Sequence, residues 1–169
     1  GHSNTAIGTN VGAAITSGDY NTAVGRAALD STTTADSNTA VGYLSLSANT
    51  TGSENVAIGY NALLANTTGA DNVAVGVNAL AASNGDLNTA VGRLAMFTNT
   101  TGGYNTAIGL GAMYLNTTSS QNTAVGYTAM RGNTTGTRNL AIGYQAYRNS
   151  DTENDNIAIG YQAMVTDTA

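Results

Sequence analysis

The stretch Asn55-Val56-Ala57-Ile58-Gly59-Tyr60-Asn61-Ala62-Leu63-Leu64-Ala65-Asn66-Thr67-Thr68-Gly69-Ala70-Asp71 is one unit of a tandem repeat from which the architecture of the chain follows. Its opening pattern, Asn-x-Ala-(Ile/Val)-Gly, returns at Asn4, Asn21, Asn38, Asn55, Asn72, Asn88, Asn105, Asn122, Asn139 and Asn156. The steps are 17 residues throughout, except for the 16 between Asn72 and Asn88. Self-similarity at such a period marks a stacked architecture, because one short unit cannot bury a hydrophobic face alone. The structural columns are Ala6-Ile7-Gly8, Ala23-Val24-Gly25, Ala40-Val41-Gly42, Ala57-Ile58-Gly59, Ala74-Val75-Gly76, Ala90-Val91-Gly92, Ala107-Ile108-Gly109, Ala124-Val125-Gly126, Ala141-Ile142-Gly143 and Ala158-Ile159-Gly160.

Counting from the Asn, the second position is Thr in six units and Val56, Val73, Leu140 or Ile157 in the others. The sixth carries a recurring Tyr. The ninth is large and apolar: Leu29, Leu46, Leu63, Leu80, Met96, Met113, Met130, Tyr147 and Met164. The first unit has Gly12 there, and Ile15 is expected to take over. The unit closes on Asn-Thr-Thr-Gly at Asn49, Asn66, Asn99 and Asn133, with Ser in place of Gly after Asn116. Gly supplies positive φ, while Asn and Thr side chains bond nearby backbone, so this is a turn. The copy at Asn84-Gly85 is one residue short; a deletion in a turn leaves strand register intact.

Each unit therefore reads as a β-branched strand with its second and fourth positions on one face, a bend at Gly, a second apolar segment and a turn. The second segment, such as Tyr60-Asn61-Ala62-Leu63-Leu64, is expected to be another strand. It is short for a helix, and no cap recurs before it. The chain is thus expected to be all-β: one parallel β-solenoid (β-roll) over residues 1–169, with ten coils of about 17 residues. At about 4.8 Å per coil the rod is roughly 45–50 Å long. The Ile/Val, Thr/Val and Leu/Met columns are expected to point inward. Ala and Gly then lie on the opposite strand face, where small residues at every level suggest close approach of a second sheet, supplied by another copy of the rod. The chain opens and closes in turns without a polar cap, which is expected of a fragment from a longer array.

Composition narrows the function. Charged residues are 9% of the chain, Lys is absent, and the basic residues are Arg26, Arg93, Arg131, Arg138 and Arg148. With a net charge of −5, no clustered cations offer themselves to nucleic acid. The absence of Cys excludes a disulfide framework and a thiolate metal site. No apolar run reaches the roughly 18 residues of a membrane span, so membrane insertion by this segment is not expected. No basic-then-apolar signal segment opens the chain, so if the protein is exported its targeting and anchoring parts are expected outside this stretch.

Nor is catalysis expected. His2 is the sole histidine, so no Ser/His/Asp triad can form, and there is no Cys nucleophile. Gly1-His2-Ser3 reads either as a tag remnant or as native repeat, since Gly-x-x-Asn also precedes strands at Gly52, Gly69, Gly102 and Gly136. The acids Asp19, Asp30, Asp36, Glu54, Asp71, Asp86, Asp151, Glu153, Asp155 and Asp167 sit mostly in turns and form no repeated ladder. Asp151, Glu153 and Asp155 cluster, but a solvated turn explains them better than a Ca²⁺ site. No catalytic, cofactor or metal residue is assigned. Replacing Asp19 or Arg131 is expected to do little. The sequons at Asn49, Asn66, Asn99, Asn116 and Asn133 share one turn position, so turn chemistry accounts for them.

Two ranks remain as candidate sites. Tyr43, Tyr60, Tyr127, Tyr144 and Tyr161 form a candidate ligand-facing stripe, able to stack on sugar rings; the simpler reading is a coil edge or oligomer interface. Thr5, Thr22, Thr39, Thr89, Thr106 and Thr123, together with the Thr-Thr turns, resemble the hydroxyl ranks of ice-binding solenoids. Interchange of the first rank with Val, Leu and Ile suggests a buried column instead.

The motifs Asn-Thr-Ala-Val-Gly and Asn-Val-Ala-Ile-Gly resemble the YadA-like head repeats of trimeric autotransporter adhesins, and related repeats of bacteriophage tail fibres. The resemblance runs over all ten units, although adhesin heads usually have shorter ones. It implies a left-handed roll, three parallel chains about one axis, an extracellular, cell-surface or virion location, and attachment to a host surface, matrix or glycan. The alternatives are an ice-binding solenoid and a purely architectural fibre protomer.

Overall fold

In the computed structural model, which describes residues 1–149 and 151–165, ten parallel three-residue strands form one sheet. They are β1 (Thr5–Ile7), β2 (Thr22–Val24), β3 (Thr39–Val41), β4 (Val56–Ile58), β5 (Val73–Val75), β6 (Thr89–Val91), β7 (Thr106–Ile108), β8 (Thr123–Val125), β9 (Leu140–Ile142) and β10 (Ile157–Ile159). Each strand occupies the second to fourth positions of its unit and pairs with the next in sequence. Like meets like: Thr22 with Thr39, Ala23 with Ala40, Val24 with Val41. The short unit causes no slip, since Val73 pairs with Thr89 and Ala74 with Ala90. The chain is a parallel β-solenoid with one coil per repeat. Asp167 lies outside the described residues.

The expected second strand does not form. After the Gly bend the chain runs through consecutive turns in which the seventh and ninth positions take positive φ: Asn61 and Leu63 at 55° and 50°, Asn78 and Leu80 at 56° and 49°. Left-handed residues with a Cβ cost roughly 1–2 kcal/mol each. Coil-to-coil hydrogen bonding offsets that cost. The Asn61 N–H reaches the Tyr43 carbonyl at 3.0 Å and the Leu63 N–H reaches the Ala79 carbonyl at 3.0 Å, so backbone pairing continues without extended strand.

The strand faces are the reverse of the sequence expectation. From Ala23 to Ala158 the Ala column is buried; Ala57, Ala62 and Leu63 are fully covered, while Ile58 is 40% exposed. The interior is Ala of the third and eighth positions plus Leu or Met of the ninth. A 17-residue coil is thin. Once Leu or Met enters from the turn side, only a methyl fits opposite it, and Ile or Val is turned outward. The second backbone that Ala accommodates is therefore the chain's own, across the coil, and the Thr/Val column is outward too. In the first coil Val11 packs against the core, and Ile15 Cδ1 lies where a side chain on Gly12 would begin.

Buried carboxamides complete the interior. The Asn of the first position accepts the backbone N–H of the next coil's Asn: Asn38 N–H to Asn21 Oδ1 at 2.9 Å, Asn55 N–H to Asn38 Oδ1 at 3.0 Å. Its Nδ2 donates to the turn carbonyl of the coil above, as from Asn38 to Gly52 at 3.0 Å and from Asn55 to Gly69 at 2.9 Å. A buried polar group without partners costs about 1–3 kcal/mol, so an apolar residue here would orphan both backbone groups. The turn Asn behaves similarly: Asn66 Nδ2 donates to the Gly69 carbonyl at 2.9 Å and to Asn49 Oδ1 at 3.1 Å. Asn66 Oδ1 has no hydrogen-bond partner, because Ser83 stands where the next carboxamide would be.

Candidate interaction surface

The outward face of the sheet carries the second and fourth positions at every level. Ile58 and Ile108 are each 40% exposed and Ile142 39%. The Thr of the second position lies beside them: Thr22, Thr39, Thr89, Thr106 and Thr123 are half-buried and Thr5 is exposed. A rank of β-branched apolar side chains thus runs the length of the parallel ladder, partly open to solvent. Exposed contiguous apolar surface of this kind marks interaction sites.

The Tyr stripe stands on the sixth position, just past the Gly bend. Tyr43 and Tyr60 stack with centroids 5.3 Å apart, Tyr127 and Tyr144 at 5.0 Å, and Tyr144 and Tyr161 at 5.2 Å, with planes within 16° of parallel. Arg26 sits 5.6 Å over the Tyr43 ring. Each ring of the stripe turns at least one face to a neighbouring ring, which reduces the aromatic platform open to a sugar. Offset aromatic pairs contribute about 0.5–1.5 kcal/mol each. Tyr144→Ala, which loses two such contacts, is expected to destabilise about twice as much as Tyr60→Ala, which loses one, in parallel thermal melts. A second group, missed in the sequence, lies on the tenth position. Phe97 stacks on Tyr114 at 5.5 Å, and Arg131 covers Tyr114 at 5.2 Å.

The turn rank is mostly self-satisfied. Thr50 Oγ1 donates to the Thr67 carbonyl at 2.9 Å, Thr100 Oγ1 to the Thr117 carbonyl at 2.9 Å, and Thr117 Oγ1 to the Thr134 carbonyl at 3.0 Å. The following Thr residues, Thr51, Thr68, Thr101, Thr118 and Thr135, are exposed. The sequon residues Asn49, Asn66, Asn99, Asn116 and Asn133 are fully buried, with Nδ2 engaged, so a glycan on them is incompatible with the folded coil.

The acids form no carboxylate ladder, but some of them belong to a ladder of mixed acceptors whose repeated element is a side-chain oxygen and not a charge. At the sixteenth position Asp36 Oδ1 accepts the Asp19 N–H at 2.7 Å, Ser53 Oγ the Asp36 N–H at 3.0 Å, Asp86 Oδ1 the Ala70 N–H at 2.9 Å, and Asn154 Oδ1 the Thr137 N–H at 2.6 Å. His2 takes the same place in the first turn: its N–H donates to Asp19 Oδ1, and its carbonyl accepts the Tyr20 N–H at 3.1 Å. Residues 1–3 therefore follow the repeat. Asp151, Glu153 and Asp155 do not converge. Arg138 holds Asp155 through Nε at 2.6 Å and Nη2 at 2.8 Å, lowering its carboxyl from the usual range. The N–H groups of Asp151 and Thr152 do the same for Glu153. Among the described residues no three metal-ligating side chains gather.

The short turn has its own device, which sequence reading did not reveal. In a full turn, the N–H groups of Thr50 and Thr51 both bond the Thr67 carbonyl, at 2.9 and 3.2 Å. One coil later the carboxamide oxygen of Asn84 stands in for that carbonyl. It accepts from Thr67 N–H at 2.6 Å, Thr67 Oγ1 at 2.9 Å and Thr68 N–H at 3.4 Å. No protein-family model, curated protein or solved structure matches the chain.

Proposed function

We propose that this chain is a non-enzymatic structural module of an extracellular, cell-surface or virion appendage, serving as the head, stalk or shaft in attachment. Its copies associate side by side as a parallel homotrimer. The observation that carries the reading is the outward Ile/Val rank of β1 to β10, exposed at each of Ile58, Ile108 and Ile142. A second copy is the occupant that suits it. An apolar rank with one coil spacing is matched best by another rank of the same spacing, and burying it stabilises the pair by about 25 cal/mol for every Å² of apolar surface removed from water. Rigidity along the axis comes from continuous ladder bonding, which suits a spacer that holds a receptor-binding part away from a surface.

Light scattering after size exclusion tests this. The expected mass is three times the 16.9 kDa of one chain. The triple variant Ile58→Asp, Ile108→Asp, Ile142→Asp is expected to run as a folded monomer. A wild-type monomer at working concentration would rule out the associated form. In that case the Thr rank on the same face favours the second reading, an ice-binding surface, because Thr22, Thr39, Thr89, Thr106 and Thr123 face outward instead of filling the coil. Inhibition of ice recrystallisation by the wild type, lost in Thr106→Leu, is the outcome expected of that reading.

A further inference from the structure

Asn84-Gly85 is the one Asn-Gly pair in the sequence, and it falls in the one shortened turn. Most repeat Asn residues are followed by Thr or an aliphatic residue, whose side chain shields the next backbone nitrogen. Gly85 has no such shield. Asn84 is exposed, and its carboxamide oxygen is the target of three donors from the preceding coil: Thr67 N–H at 2.6 Å, Thr67 Oγ1 at 2.9 Å and Thr68 N–H at 3.4 Å. Donors fixed on a carbonyl oxygen stabilise the negative charge that appears there when a nucleophile adds to its carbon, which is the logic of an oxyanion hole. The neighbouring backbone nitrogen is that nucleophile, and the Gly85 N–H already points at an acceptor, Ser83 Oγ, at 3.2 Å.

From this geometry we infer that Asn84 is a site of self-promoted modification: succinimide formation followed by deamidation. The Gly85 nitrogen adds to Asn84 Cγ, its proton passing to Ser83 Oγ and on to water, while Oδ1 takes the charge among the Thr67 and Thr68 donors. Collapse of that adduct breaks the Cγ–Nδ2 bond, and Nδ2 leaves as ammonia with a proton from water. Water then opens the ring. Attack at Cγ gives Asp, and attack at the main-chain carbonyl carbon of residue 84 gives isoaspartate. The net change is one water consumed and one ammonia released, with no oxidant or reductant. The two products differ in consequence. Asp keeps the acceptor that anchors Thr67 and Thr68 and adds a negative charge, whereas isoaspartate lengthens the main chain by one carbon and withdraws the acceptor. The shortened turn is thus the point where the solenoid ages.

The test is peptide mapping by mass spectrometry of the whole chain held at mildly alkaline pH. One sample is folded, one is unfolded in urea, and one is the folded Thr67→Val variant, which keeps the backbone donor and loses the hydroxyl. The expected result is amide-to-acid conversion at residue 84 at least as fast in the folded chain as in urea, and several-fold slower in Thr67→Val. Asn84→Asp should fold and melt close to wild type, showing that the acid product is tolerated. Conversion confined to the unfolded chain, or a folded rate that Thr67→Val leaves unchanged, overturns the inference.

Discussion

Ala107→Asp is expected to abolish the native solenoid in the middle coils, while Ile108→Asp, one residue along the same strand, leaves it folded. Ala107 is fully buried in β7, stacked between Ala90 and Ala124. A carboxylate there has no cation to pair with, and the effective penalty of an unpaired buried ion is several kcal/mol. Added volume in a close-packed interior costs about 1–3 kcal/mol more. Against a stability of about 5–15 kcal/mol for a typical domain, that is most or all of it. In a solenoid the loss is felt by both neighbouring coils, because each unit is stabilised mainly by its interfaces. Ile108 is 40% exposed, so its carboxylate would stay in water. Far-ultraviolet dichroism and thermal melts at equal concentration decide the matter. A near-native melt of Ala107→Asp, or an equal collapse of the two variants, would refute the inward Ala face.

That pair of substitutions also marks where sequence reading succeeded and where it stopped. The period places every strand and its register, because Asn-x-Ala-(Ile/Val)-Gly repeats one in-register pairing per coil. Even the short unit at Asn84-Gly85 was legible as a turn deletion. The Leu/Met column was legible as core. The facing of Thr106-Ala107-Ile108 was not, because a three-residue strand alternates only once, and hydrophobicity alone puts Ile inward. What decides is the width of the coil. Met113 and Ala112 come from the opposite side and leave room for a methyl. The signal was present in the eighth position, where Ala28, Ala62, Ala79, Ala95, Ala112, Ala129 and Ala146 recur before the ninth-position residues, with Ser45 the one interruption between Ala28 and Ala146. The second segment misled for a different reason. Leu63 and Met96 at φ near 50° are conformations that side-chain propensity argues against, and they hold only because each N–H finds a carbonyl in the next coil. Of the candidate surface, the Tyr stripe was visible from spacing alone. The stacking of its faces, the Phe97–Tyr114 pair and the acceptor ladder of Asp36, Ser53 and Asp86 depend on the angle at which each side chain leaves the coil.

Gly109→Ala is the second substitution expected to have a large effect, although it adds only a methyl group at the surface bend. The backbone there has φ +131°, outside the regions open to residues with a Cβ. Such strain costs about 1–3 kcal/mol. The methyl would also begin 2.4 Å from the Gly126 carbonyl oxygen and 2.7 Å from its carbon. That neighbour is backbone and cannot swing aside, since the Gly126 N–H is tied to the Ile108 carbonyl at 2.7 Å in the same ladder. Relief requires the two coils to part, which breaks strand pairing and exposes Ala107 and Ala124 together. The expected loss therefore exceeds the strain alone, by roughly the 1–3 kcal/mol of an overpacked site. Gly103 supplies the control: its φ is not positive, and a Cβ there would meet the Asp86 carbonyl oxygen at 3.0 Å, a tight contact that a shift of a few tenths of an ångström relieves. Gly103→Ala is expected to melt within a few degrees of wild type. Urea titrations of the two variants give the comparison directly. Equal midpoints would mean that the bend column is conformationally free, and the repeating Gly would then need another explanation than the carbonyl stacked above it.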